Sequence, residues 1–266
     1  MDIEARPAKL AVEGLGLAYR NARTGVDLQV IDDVSFEVRD REFVSIVGPS
    51  GCGKTTLLHC LAGLQAANRG QLRCDGAPIA AGEHKLAMVF QSPTLLPWRN
   101  VLDNIAYGLA LQHRNDLEAR GRVEGLVELV GLAGFGHHYP HELSGGMQQR
   151  VNLARALAVA PEILLMDEPF AALDAQTREV MQTELLRIWE TDRKTVVFIT
   201  HQIDEAVYLS DRVLVMRARP SKIQADIEIE LARPRIPRIK RSAEFNDYVD
   251  RISALVMAPA SERSVS

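Results

Sequence analysis

The stretch Phe43-Val44-Ser45-Ile46-Val47-Gly48-Pro49-Ser50-Gly51-Cys52-Gly53-Lys54-Thr55-Thr56 decides the fold class. Residues 43–47 are apolar apart from Ser45, which predicts a short strand buried on both faces. Leu57, Leu58, Leu61 and Leu64 follow at helical spacing, so the glycine-rich segment joins a strand to a helix. That is the setting in which G-x-x-x-x-G-K-[ST] holds a phosphate chain. Glycines let successive backbone N–H groups turn toward an anion, and the helix N-terminus adds positive dipole. In this reading the residues from Gly48 to Thr56 form the cradle, Lys54 reaches the terminal phosphates and Thr55 supplies a magnesium ligand. The competing reading, an ordinary glycine-rich turn before a helix, is opposed by the clean strand and helix on either side. Cys52 lies in the loop beside a helix N-terminus, so a lowered thiol pKa and protection by bound nucleotide are expected.

Upstream of the loop, Leu15, Leu17 and Tyr19 alternate, as do Val34, Phe36 and Val38, which predicts short antiparallel strands between Leu10 and Val47. Downstream, Leu86 to Phe90, Ile163 to Met166, Thr195 to Ile199 and Arg212 to Met216 read as further strands separated by helix-like stretches. Residues from about 92 to 160 carry helical periodicity and no strong strand. The expected architecture is therefore an α/β P-loop NTPase core with a mostly parallel sheet, an N-terminal antiparallel β subdomain and an inserted helical subdomain. Arg233, Arg235, Arg238, Lys240 and Arg241 cluster with Pro234 and Pro237, which reads as linker chemistry. Beyond them Phe245, Tyr248, Val249, Ile252, Leu255 and Val256 mark one face of a docking helix. This divides the chain into an ATPase domain over 1–232 and a basic linker with an amphipathic helix over 233–266.

The 266 residues are 47% hydrophobic with a formal net charge of -4, enough for a real core and without a global pull toward polyanions, so no nucleic-acid partner is expected. No apolar run approaches the ~18 residues of a membrane span, and no secretory leader pattern is present. The three cysteines, Cys52, Cys60 and Cys74, form neither a C-x-x-C pair nor a metal pattern, so a reducing cytosol is the natural compartment.

Asp167 and Glu168 follow the strand at 163–166, at the edge where open α/β sheets bind ligands. Asp167 suits a magnesium shell, and Glu168 suits a base that polarises a water behind a γ-phosphate. Leu143-Ser144-Gly145-Gly146-Met147 opens a second helix, in which Met147, Val151, Ala154 and Leu157 recur until Pro161. Ser144 is its N-cap candidate, so the chain carries a second anion-binding helix start that lacks lysine and can supply only part of a site.

Taken in order, the P-loop, Gln91, the run Leu143 to Arg150, the run Ile163 to Pro169, Ala172-Leu173-Asp174 and His201 resemble the ATP-binding cassette family over roughly residues 10 to 217. The resemblance implies a head-to-tail dimer holding two ATP molecules, in which the Ser144 helix of one chain, with Gly145 and Gly146, completes the phosphate site of the other. It implies that Gln91 contacts magnesium and senses the transport domain, that Asp174 links the two sites, that His201 holds the γ-phosphate and attacking water, and that Tyr19 stacks on adenine. Met147 stands where the commonest family signature has glutamine, which leaves the serine and glycine donors in place.

The closest likeness is to the nitrate, sulfonate and taurine importer branch, carried by Met147, by the segment Gln91 to Val101 and by Arg233-Pro234-Arg235. Leu95, Leu96, Pro97 and Trp98 would then suit a groove that receives a helix of a membrane subunit. Such a subunit works with a second copy of itself, two permease subunits and an extracytoplasmic solute-binding protein, peripherally on the cytoplasmic face of the inner membrane. Repair or translation members of the superfamily carry paired cassettes, zinc modules or long coiled coils, and a P-loop kinase has no use for Ser144-Gly145-Gly146.

Overall fold

The computed structural model describes residues 7–20, 25–79, 85–114, 116–217 and 221–257. The chain folds as two compact units, one made of residues 1–83 and 195–266 and the other of residues 84–194.

In the first unit β1 (Ala8–Arg20) and β2 (Asp27–Arg39) pair antiparallel, burying Leu10, Val12, Leu15 and Leu17 from one strand and Ile31, Val34 and Val38 from the other. Both strands are longer than the short segments the alternation predicts. Bulges explain the difference: the pairing shifts register around Gly14 and Asp33, each at φ 58°, and the Gly14 N–H donates instead to Ser35 Oγ at 2.8 Å. β3 (Phe43–Val47) is buried at every position and leads through the glycine loop into α1 (Lys54–Leu61). That helix ends before Leu64, which is 61% exposed, because Gly63 at φ 69° turns the chain away. β4 (Arg69–Cys74) and β5 (Ala77–Pro78) complete a sheet of order β2-β1-β4-β5.

The second unit begins with β6 (Leu86–Val89) and passes through α2 (Val101–Leu111), α3 (Leu117–Leu129) and α4 (Gly145–Ala158) to β7 (Ile163–Asp167) and α5 (Ala175–Thr191). β6 and β7 pair in parallel. Each helix starts on a capping side chain: Asn100 accepts from Asp103 N–H, Asp116 from Ala119 N–H, Ser144 from Met147 N–H and Asp174 from Thr177 N–H. Loss of one such cap costs about 1 kcal/mol. Asn104 is fully buried; its carbonyl accepts from Leu96 N–H while its amide donates to the carbonyls of Leu96, Arg99 and Asn100.

The chain returns to the first unit with β8 (Thr195–Ile199), α6 (Ile203–Leu209), β9 (Arg212–Met216), β10 (Ile223–Glu228) and α7 (Ala243–Met257). β3 lies between β8 and β9, parallel to both, and β10 runs antiparallel along β9. Strands so placed are dry on both faces, which is why they read as nearly continuous apolar runs, with Ser45, Thr195 and Arg212 as the polar members. α7 packs on α6 and β9, burying Phe245 and Ile252.

The arginines read as linker chemistry are in part an anchor. Arg235 is 4% exposed, and its guanidinium donates to the carbonyls of Val207, Tyr208, Ser210, Ile229 and Leu231. Burial pushes it down to about 10, still fully charged near neutral pH. Arg233 donates to Leu209 O at 2.7 Å and to Asp211 Oδ1 at 2.8 Å. The orphan carbonyls at the end of α6 thus find charged donors, a role that composition alone hides behind proline and positive charge. No described helix is long and apolar enough to cross a membrane.

Candidate functional site

The glycine loop leaves β3 at Val47 and closes on α1, where Gly53 occupies the N-cap at φ 93°. Only glycine adopts that conformation without strain. A side chain at Gly48 would meet Met216 O at 2.5 Å, and one at Gly53 would meet Ser221 Oγ at 3.0 Å and Val30 Cγ1 at 3.2 Å. The loop is therefore walled from behind at Gly48 and Gly53. Lys54 is buried with its stem; its ammonium donates to Gly48 O at 2.8 Å and Pro49 O at 3.2 Å. Ser50, Gly51 and Thr55 are exposed, while Pro49 and Thr56 are half-buried.

The Cys52 thiol departs from expectation. Its sulfur is buried, and desolvation pushes the pKa up; the nearby Lys54 ammonium, 3.9 Å away, opposes this without reversing it. The side chain is buried, so proximity to a helix N-terminus does not make the thiol reactive.

His201 follows β8, whose Ile199 sits beside Ile46 of β3, and Thr200 N–H donates to Ile46 O at 3.3 Å. The glycine loop and the exposed His201 thus issue from the same edge of adjacent parallel strands. Tyr19, on the antiparallel sheet, is paired with Leu28 and 44% exposed.

In the second unit Gln91 follows β6 and Glu168 follows β7, again from one edge of a parallel pair. Asp167 is the buried last residue of β7, and Glu168 takes a left-handed φ of 42°. Asp174 caps α5 through Thr177: Oδ1 accepts the N–H at 2.9 Å and Oδ2 the hydroxyl at 2.7 Å, which holds its carboxyl below the usual range. Ser144 caps α4, and a side chain at Gly146 would lie 2.7 Å from Thr177 Cγ2, so the starts of α4 and α5 adjoin. Ser144 and Gly145 are exposed, with open space around Gly145.

Several supporting residues escape a sequence reading. Gln149 and Asn152 donate to Phe90 O, and Arg155 donates to Thr94 O at 2.6 Å and to Thr94 Oγ1 at 2.9 Å. α4 therefore grips the chain on both sides of Gln91. Their spacing of three on one helix face is the signal that could have found them. Ser221, Met216 and Val30, which wall the glycine loop, carry no such signal.

A strand, a walled glycine loop and a lysine-bearing helix start at the edge of a parallel sheet define a P-loop nucleoside triphosphatase. The model of one family, ABC transporter, matches residues 31–171. An ABC transporter ATP-binding protein of Methanocaldococcus jannaschii is 48% identical over 92% of this chain and 90% of its own length. An aliphatic sulfonates import ATP-binding protein of Bacillus cereus is 45% identical over 88% of this chain and 90% of its own. A taurine import ATP-binding protein of Rhizobium johnstonii is 42% identical over 92% and 95%. Among solved structures, a dimeric ATP-binding cassette in a post-hydrolysis state bound to ADP and phosphate matches with a TM-score of 0.73 at 30% identity, covering 84% of this chain and all of that one. The chain belongs to the ABC transporter family, as an ATP-hydrolysing subunit of the importer branch.

Proposed function

We propose that the chain powers uptake of an organic sulfonate, of the aliphatic sulfonate or taurine kind, by hydrolysing MgATP at the interface of a head-to-tail homodimer. The observation that carries the shared site is the contrast between the walled glycine loop and the open, Ser144-capped start of α4, a helix N-terminus able to receive an anion from outside its own chain. The solved dimer bound to ADP and phosphate supports the same reading.

Lys54 and the N–H groups of the loop from Gly48 to Thr56, Pro49 having none, hold the β- and γ-phosphates, and Tyr19 stacks on the adenine. Thr55, Gln91 and Asp167 supply hydroxyl, amide and carboxylate oxygens, the hard donor set that magnesium requires. When bound, magnesium neutralises charge on the phosphate oxygens. Glu168 accepts the proton of the attacking water, and His201 holds that water against the γ-phosphate. From the partner chain, Ser144, Gly145 and Gly146 donate to the same γ-phosphate, and Asp174 connects the two sites.

Leu95, Leu96, Pro97 and Trp98, the last 71% exposed, offer apolar contact to a permease helix. The complete system has two such cassettes, two permease subunits and an extracytoplasmic solute-binding protein, with the cassettes peripheral on the cytoplasmic face of the inner membrane. Relatives named for sulfonate and taurine import support this assembly.

Glu168→Gln tests the mechanism. The amide keeps the size and reach of the carboxylate and removes its basicity, so hydrolysis is expected to slow by about a hundredfold or more while ATP still binds. Persistent ATP then holds two chains together, and light scattering after size exclusion should report a dimer. Adding Ser144→Arg should return the protein to monomer. Wild-type hydrolysis by Glu168→Gln would remove the base assignment, and retained ATP on a monomer would remove the shared site.

A further inference from the structure

The wall behind the glycine loop includes a side-chain hydroxyl, that of Ser221. Ser221 is fully buried, yet it lies outside every motif that marks the nucleotide site. Its backbone is docked on β2: Ser221 N–H donates to Val30 O at 3.2 Å, Asp32 N–H donates to Ser221 O at 3.0 Å, and Ser221 forms a parallel bridge with Ile31. The residue is therefore held from both sides of its own peptide. Its hydroxyl donates to the carbonyl oxygen of Cys52, inside the loop.

That bond has a consequence for the face of the loop opposite the wall. In a trans peptide the C=O and the following N–H point in opposite directions. Tying the Cys52 carbonyl rearward turns the Gly53 N–H forward, at the N-cap of α1, where the helix dipole is most positive. Without the hydroxyl the Cys52–Gly53 peptide could flip, since Gly53 has no side chain to resist rotation and tolerates φ of either sign. A flipped peptide would present a carbonyl oxygen to the phosphates in place of a donor.

We infer that Ser221 is a positioning residue for the phosphate loop: it fixes the orientation of the Cys52–Gly53 peptide so that its N–H faces the nucleotide. This rests on the reading of Gly48 to Thr55 as the phosphate site and adds to it a residue some 170 positions away in sequence, bonded to Cys52 at a separation of 169.

The experiment compares Ser221→Ala, Ser221→Thr, Val30→Ala and Lys54→Ala in the full chain by calorimetric titration with MgATP and MgADP and by thermal unfolding. Ser221→Ala is expected to weaken both nucleotides about fivefold, the scale of one hydrogen bond. Ser221→Thr, which keeps the hydroxyl, should stay within about twofold of the parent. Val30→Ala trims the same wall without touching the donor; it should lower the melting temperature and leave both affinities within about twofold. The inference is overturned if Ser221→Ala binds both nucleotides like the parent, if Ser221→Thr is as weak as Ser221→Ala, or if Val30→Ala loses affinity as much as Ser221→Ala does. Lys54→Ala separates the two levels: unchanged MgATP affinity there would show that the loop is not the phosphate site, and both readings would fall together.

Discussion

The glycine-bearing starts of α1 and α4 are built differently. At α1 the loop is crowded: Met216, Ser221 and Val30 press against Gly48 and Gly53, and Lys54 is threaded back onto the loop carbonyls. At α4 the cap is a single serine bond of 3.3 Å to Met147 N–H, and nothing lies within 4 Å of a side chain built on Gly145. Glycine at Gly48 and Gly53 is explained by the chain's own packing. Glycine at 145 is not, and the proposed explanation is a nucleotide held by another copy. Two sites with the same ingredients can thus be told apart by asking what surrounds their glycines.

The largest effect that would sharpen this contrast is at Lys54. Lys54→Ala removes a charged donor from the proposed phosphate site, and MgATP affinity should fall by roughly a hundredfold, from a charge-assisted bond worth about 2–3 kcal/mol. Ser144→Ala removes a cap on the incomplete site and should leave the affinity of the isolated chain within about twofold. Equal losses in a binding titration would break the distinction.

Smaller effects are expected from the glycines themselves. Gly53→Ala forces a side chain into a left-handed conformation against Ser221 and Val30, and should cost about 1–3 kcal/mol in urea unfolding. Gly145→Ala meets open space in the first turn of a helix, so stability should hold or rise by up to about 1 kcal/mol, while ATP hydrolysis declines. A Gly145→Ala variant that unfolds as readily as Gly53→Ala would show that the chain itself needs that glycine.

The smallest expected effect concerns Cys52. Burial raises its pKa, so at neutral pH the thiolate fraction is below that of an ordinary thiol and alkylation should be slow with or without MgATP. The rate should climb only as pH passes above the usual thiol value. Fast alkylation at neutral pH, blocked by MgATP, would restore the reactive-thiol reading.

Much of the fold is legible where burial is two-sided. β3, β8 and β9 are dry throughout, so their apolar runs mark them with the boundaries the structure gives. β4 is hardly legible: its half-exposed, charge-rich stretch from Arg69 to Arg73 carries little apolar pattern, and pairing with a neighbour holds it; β10 does carry a signal, since Ile223, Ala225 and Ile227 alternate with polar residues. The same division runs through the site. Gly48, Lys54, Ser144 and Asp167 stand in local patterns whose spacing suggests the roles proposed for them. Ser221 bonds a backbone carbonyl far away in sequence, and no local spacing records such a bond.

The Arg235 anchor bears on how the molecule can be cut. A fragment that stopped at residue 232, where the sequence places the end of the ATPase domain, would keep every nucleotide motif and lose both Arg233 and Arg235. The carbonyls of Val207, Tyr208, Leu209 and Ser210 would then lose their charged donors, and the packing of α6 against α7 would be lost. α6 begins two residues after His201, so trimming the tail loosens the helix next to the residue proposed to hold the γ-phosphate. A fragment that runs through α7 is therefore expected to keep its ATPase activity, and one that stops at residue 232 to lose much of it.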